Sequence, residues 1–365
     1  MRDGAERVRA RILPRALLAT WVAVAGGCSQ PPSVVEERLL VWGTPARIEI
    51  HDAEPQAAHA ALREVAAQFV RLTREWHAWK PSALARINVA LRDCRPAPAP
   101  ASVLALLERV RPHVQRSGGL FDPAIGGLIE MWGFHADRYP VETPAPEPGR
   151  IQRWLAARPR LDDLEIGADG VLRAPCTPDP VQLDFGAVGE GAALEQAAAI
   201  LRRHGIEHAL LDLGGDLLAI GRRGGRAWQV AIEAPGGEGG WLARLELGDG
   251  EGLFTSGNYV RYRPAPDGGR WPHILDPRTG MPASGGLMAV ALGRDPVAAD
   301  ALSTALLIGG PEALVELAAA LEVDCALLVT AEGEVLVTPP LHRRLQFHDS
   351  AGRIRVVGVD APGCR

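Results

Sequence analysis

The chain has 365 residues, 47% of them hydrophobic and 23% charged. Its net charge is −5 from interspersed acids and bases, a globular profile that advertises no basic surface for nucleic acid. Its 41 glycines and 30 prolines imply many turns and a loop-built site, short of disordered or collagen-like composition. Lys80 is the only lysine, so there is no G-K-[ST] phosphate loop, and a pyridoxal Schiff base would have to use a lysine in an ordinary Trp-Lys-Pro-Ser context.

Arg2, Arg7, Arg9, Arg11 and Arg15 precede an apolar run from Ala16 to Ala25, which ends in Gly26-Gly27-Cys28. That is the layout of an export signal, and the run is too short for a membrane-spanning helix, which needs ~20 residues. Cys28 followed by Ser29-Gln30-Pro31-Pro32 resembles a bacterial lipoprotein signal, with Ala25 in place of the usual leucine. The expectation is a signal over 1–28, a tether over 29–40, and lipid anchoring through Cys28 on the periplasmic side of a membrane. The main domain is expected over 41–340 and a C-terminal extension over 341–365.

Alternation predicts a strand pair over Glu36–Ile50 around Gly43-Thr44-Pro45. Helical spacing marks Gln56–Thr73, then Ser102–Gln115 with Ser102 as N-cap, and Arg150–Ala157 after a proline-rich loop. Short strands are expected around Asp163–Ile166, Val171–Ala174 and Val181–Phe185, followed by an Ala-rich helix from Gly189 to His204. Further strands are expected at His208–Asp212, Leu217–Ile220, Trp228–Glu233, Trp241–Leu247, Phe254–Tyr262 and Leu287–Leu292. Two helices, Pro296–Ile308 and Pro311–Leu321, precede a closing hairpin, Ala326–Thr330 with Val335–Val337. Without a regular β-α-β rhythm, the pattern argues for an α+β fold. Cys94, Cys176, Cys325 and Cys364 form no C-x-x-C pair and have no histidine at ligand spacing. This argues against zinc and leaves their pairing open.

Five polar or Gly-rich clusters sit at strand ends or helix starts: Ser117–Pro123, Leu183–Gly191, Leu211–Asp216, Thr255–Tyr259 and His273–Gly280. Such clusters let backbone approach a ligand and offer N–H groups to phosphate, although each alone also reads as a turn. Asp300 and Thr304 fall at i and i+4 of a helix, on one face, and offer hard oxygen donors suited to Mg²⁺. The plain alternative is an early-turn acid and a buried threonine. His273 is either a structural histidine or a base for a hydroxyl nucleophile.

Taken together, the motifs resemble the FAD:protein FMN transferase (ApbE) family. They are Gly43-Thr44, S-x-L-x-R-x-N over 82–88, S-G-G-x-F-D-P and W-G-F over 132–134. L-D-F-G-A-V-x-x-G, D-L-G-G-D, T-S-G-N-Y, H-I-L-D-P-R-T-G and A-D-A-L-S-T-A-L follow in that order, over roughly residues 41–330. The resemblance implies an α+β, T-fold-like architecture with two lobes and a ligand cleft between them. It implies Mg²⁺-dependent transfer of FMN from FAD to a Thr or Ser hydroxyl of an acceptor protein, with AMP released. The acceptor would be a membrane or exported redox protein.

Carried over by position, Asp300, Thr304 and the Ala187 carbonyl would hold Mg²⁺, and His273 would be the general base. Trp42, Trp79, Leu120, Phe121, Asp122, Asp184, Glu190 and Ile274 would line the FAD site. Trp42 stands where the family usually has Met, and Trp79 takes its usual aromatic. Glu190 stands where the family has Lys, Asn258 where it has Asp, and one residue is missing between Pro81 and Ser82. An arginine replacing that lysine would come from elsewhere, with Arg222, Arg223 and Arg226 as candidates. Two alternatives accompany this reading: a Mg²⁺-dependent FAD pyrophosphatase, and a non-catalytic flavin-binding paralogue motivated by Glu190 and Asn258.

Overall fold

The computed structural model describes residues 34–136, 138–236, 240–358 and 363–364; the expected signal, Cys28 and the first part of the tether lie outside them. A nine-stranded sheet runs in simple sequence order. Its strands are β1 (Val34–Val41), β2 (Thr44–His51), β3 (Ala209–Leu213), β4 (Asp216–Ile220), β5 (Gly252–Gly257), β6 (Met288–Gly293), β7 (Cys325–Val329), β8 (Val335–Val337) and β9 (Ile354–Val356). Every neighbouring pair is antiparallel except β8 with β9. The α+β expectation holds. Residues 34–40, assigned to the tether, form most of β1, and residues of the expected C-terminal extension supply β9.

Alternation along the strands feeds two cores. In β6, Ala289 and Ala291 face a helical layer, while Met288, Val290 and Leu292 face the other side. The helical layer holds α1 (Pro55–Trp76), α2 (Ala83–Arg92), α3 (Ala101–Arg116), α4 (Gly189–Arg203) and α5 (Pro296–Gly309). Opposite lies a three-stranded sheet of 228–233, 241–247 and 346–347. A third, aromatic cluster gathers Trp132, Phe134 and Trp154 around Leu275.

Local chemistry explains the boundaries. Glu54 accepts a bond from the Ala57 amide at 2.8 Å and Pro55 opens α1, whose buried Leu62, Val65, Phe69 and Leu72 recur every three or four residues. Asp295 caps α5 by accepting from the Val297 and Ala298 amides. Thirteen of the 14 residues of α5 are buried, as expected of a helix apolar on every side.

Ser102 is not the N-cap of α3; Pro100 is, without a side-chain cap. The Ser102 hydroxyl instead accepts from Trp76 Nε1 and donates to Glu75, tying α3 to the end of α1.

The strand expected at Val181–Phe185 is an extended loop with one isolated bridge, Gln182 to Ile125. Asn88 replaces a partner strand: its Nδ2 donates to the Leu183 carbonyl at 2.8 Å, and its Oδ1 accepts from the Leu183 amide at 2.7 Å. The strand expected over 254–262 stops at Gly257 because the Asn258 amide turns to the Leu287 carbonyl.

The four later cysteines pair as Cys94–Cys176 and Cys325–Cys364. Among the described residues, no helix is long and apolar enough to cross a membrane.

Asn88→Ala strips both partners from a buried peptide group, so a loss of about 2–4 kcal/mol is expected in urea unfolding, with an unchanged slope. Parent-like stability would show that Asn88 does not hold this loop.

Candidate active site

α5 brings Asp300 and Thr304 to one wall at the end of the sheet, facing the N-terminus of α4. Asp300 Oδ2 accepts the Gly191 amide of α4 at 2.9 Å. That amide lies four residues after Ala187 and would otherwise close the helical bond to its carbonyl. No other N–H among the described residues bonds the Ala187 oxygen. Gly191 is required here: a Cβ would lie 2.5 Å from the Pro296 carbonyl and 3.0 Å from Asp300 Cβ. Ser256, at the end of β5, stands 3.1 Å from the Thr304 hydroxyl and 2.8 Å from that of Ser303.

Asp216, which opens β4, is buried beside this group and accepts the Thr255 amide at 2.8 Å. Burial pushes the Asp216 carboxyl well above its usual range, with Asp300 and Glu190 adding like charge; burial and Glu190 do the same to Asp300. Among the described residues, no three His, Cys, Asp or Glu side chains converge as a ready metal cage. The available donors are one carboxylate, hydroxyls and a backbone carbonyl with no hydrogen-bond partner among the described residues. These hard oxygens beside uncompensated negative charge fit Mg²⁺, which binds through few protein ligands and keeps its waters.

A cavity of about 610 Å³ opens between this sheet end and the aromatic cluster. It is lined by Asp300, Thr304, Ala187 and His273, and also by Trp79, Leu120, Phe121, Asp122, Asp184, Glu190 and Ile274. Trp42 lines a smaller adjoining pocket of about 90 Å³, which shares Trp79, Asp184, Glu190 and Arg261 with the main cavity. Trp42 and Gly43 form the β1–β2 turn with φ of 53° and 85°. This left-handed conformation is unusual for so bulky a residue, and Trp42 is held in a stack on Trp76 at 6.1 Å.

Asp122 and Asp184 carry less free acceptor capacity than the sequence suggests. Asp122 accepts the Ala124 and Leu161 amides, and Asp184 accepts that of Gly186. Burial raises both carboxyls, Asp122 to about 6.

His273 meets Phe134 edge-on at 6.4 Å, and its backbone amide donates to the Arg261 carbonyl at 3.0 Å. Its Nδ1 is buried without a hydrogen-bond partner among the described residues. Burial and the Arg261 charge hold its pKa down at about 4, so the ring is neutral at neutral pH. The rest of its motif builds the turn that supports it. Arg278 pairs with Asp276 at 2.8 Å, and the Gly280 carbonyl accepts from Trp132 Nε1, joining the W-G-F and P-R-T-G motifs.

The two departures differ in kind. Asn258 is absent from the cavity lining, and its Nδ2 bonds the Gly286 carbonyl at 2.9 Å, a donation that aspartate cannot make. Glu190 does line the cavity; loss of solvent raises its carboxyl and Asp212 adds to this, against Thr44 and Arg261. Arg222, Arg223 and Arg226 do not line it. Arg222 bonds the Gly225 carbonyl, Arg223 approaches Glu49, and Arg223 and Arg226 share a backbone bridge. Ser256 and Asp216 lie within the family motifs yet have no role expected from them, and Arg261 lies in no motif.

The ApbE family model matches residues 42–328. An FAD:protein FMN transferase of Rhodobacter capsulatus is 36% identical over 348 residues, covering 94% of this chain and 65% of that protein. One from Treponema pallidum is 33% identical over 75% of this chain and 78% of its own length. The apo flavinyl transferase ApbE of Pseudomonas stutzeri superposes with a TM-score of 0.70 at 29% identity, over 83% of this chain and 92% of that one. The Thermotoga maritima apbe protein gives 0.71 at 26% identity, over 83% and 96%. With a family match spanning most of its length and the same fold around the site, the chain belongs to the ApbE family.

Proposed function

We propose that this chain is a Mg²⁺-dependent FAD:protein FMN transferase that acts on a Thr or Ser hydroxyl of an exported or membrane redox protein. One observation carries the reading: the Gly191 amide is given to Asp300, so among the described residues no N–H takes the Ala187 carbonyl, which lines the cavity with Asp300 and Thr304. The cavity volume falls within the range of cofactor sites.

Asp300, Thr304 and the Ala187 carbonyl would hold Mg²⁺, which when bound would neutralise diphosphate charge and stabilise the departing phosphate. The neutral His273 ring accepts the proton of the acceptor hydroxyl. A bond forms from that oxygen to the phosphorus on the FMN side, and the bond from phosphorus to the AMP oxygen breaks. Trp79 and Phe121 offer apolar wall to the flavin ring.

Incubation with FAD, Mg²⁺ and an acceptor domain should add the mass of FMN to the acceptor and release AMP in equal amount. Asp300→Ala should reduce the rate by roughly 10²–10³-fold. An unmodified acceptor while free FMN and AMP accumulate would establish the pyrophosphatase instead.

His273→Asn should lower kcat by about 10²–10⁴-fold while FAD affinity stays near the parent's. With its pKa held down at about 4, the acid limb of kcat/KM should lie below the ordinary histidine value of about 6.5. The preference of the fold for the neutral ring contributes stability above that unfolded value, and this contribution is lost as pH falls toward about 4. An acid limb at the ordinary value would remove His273 as the base.

We also propose export and lipid anchoring through Cys28. The two disulfides support an oxidising compartment. Cys28→Ala should move the protein from the membrane fraction to the soluble fraction; unchanged fractionation would refute the anchor.

A further inference from the structure

The cavity poses an electrostatic problem for a dinucleotide. Asp184, Glu190, Asp216 and Asp300 all line it, yet the ligand brings a diphosphate of its own. A bound divalent cation offsets two charges, and further donors are needed where phosphate oxygens face carboxylates. Two arginines line the cavity, Arg47 and Arg261. Arg47 is drawn toward Glu49 of the same strand at 3.6 Å. Arg261 lines both the main cavity and the adjoining aromatic pocket, and its guanidinium makes no direct hydrogen bond or ion pair among the described residues.

Building on the flavin-transferase reading, we infer that Arg261 is the diphosphate-binding side chain of this protein, supplying the positive charge that Glu190 does not. The guanidinium presents five donors in a planar fork suited to phosphate oxygens. It lines the cavity together with Asp184, Glu190 and His273, and from this solvent-exposed rim its charge acts on all three. The backbone bond from the His273 amide to the Arg261 carbonyl, 3.0 Å, ties the anion-holding residue to the base. A phosphate held by Arg261 therefore lies on the same wall as the group that takes the proton. Arg261 is a solvent-exposed side chain, so its removal leaves the packed core untouched.

The test is a fluorescence titration of FAD into the soluble protein with Mg²⁺, across a range of KCl concentrations, for the parent, Arg261→Ala and Arg261→Lys. Arg261→Ala should weaken FAD binding about 10- to 100-fold and flatten its salt dependence, as expected on losing one charge-assisted contact. Arg261→Lys should recover part of the loss. Parent-like affinity and salt dependence in Arg261→Ala would overturn the assignment. So would a loss with unchanged salt dependence and no recovery by lysine, which would mean that the side chain acts through packing. A parent protein that binds no FAD would bring down the transferase reading itself, an outcome separate from failure of the arginine variants alone.

Discussion

Two carboxylates buried at one sheet end, Asp216 and Asp300, set the terms for everything around them. An ionised carboxylate out of water costs several kcal/mol unless donors or a cation compensate it. The protein supplies one backbone amide to each, from Thr255 and Gly191, and then adds Glu190 nearby instead of relieving the charge. Such an arrangement is costly in an empty fold and useful in one that recruits a divalent cation. The Gly191 bond also fixes α4 against α5 and diverts the donor that would have closed on Ala187.

The scaffold follows from that requirement. A meandering sheet with a helical layer on one face and a small sheet on the other buries most strand residues on both sides, so polar groups gather at the strand ends. β4 delivers Asp216 there, β5 delivers Ser256, and α5 delivers Asp300, Ser303 and Thr304. The opposite wall comes from 120–134 and 259–275, a short helix (Gly126–Met131) and a small hairpin (Tyr262–Pro264 with Arg270–Pro272) with their loops; Trp132 on Gly280 and Arg278 on Asp276 brace it, and Asn88 on Leu183 holds the neighbouring 181–185 loop. Several family motifs therefore serve as braces for loops rather than as ligand contacts.

Much of this was legible in the sequence. The α+β class, α1, α4, α5 and most strands follow from periodicity and capping residues, and every site residue taken from the motifs lines one of two adjoining cavities. Failures fell where a side chain replaces a backbone partner. An alternating run at 181–185 looks like a strand because local pattern cannot reveal that Asn88, some 95 positions away, satisfies it. Ser102 has the chemistry of a cap, but the end of α1 competes for its hydroxyl. The disulfide pairs depended on three-dimensional proximity. Arg261 carries no motif, and only the assembled cavity sets it among the carboxylates. The Asn258 departure, a lost charge in one dimension, is in three dimensions a donor to a loop carbonyl.

The account stands on a cation held by Asp300, Thr304 and the Ala187 carbonyl when the dinucleotide is present. A crystal of the protein with FAD and Mn²⁺, measured for anomalous scattering at the manganese edge, tests this most directly. The account predicts one strong peak at coordinating distance from all three oxygens and from the diphosphate. FAD bound with no peak there, or with manganese elsewhere, would contradict it.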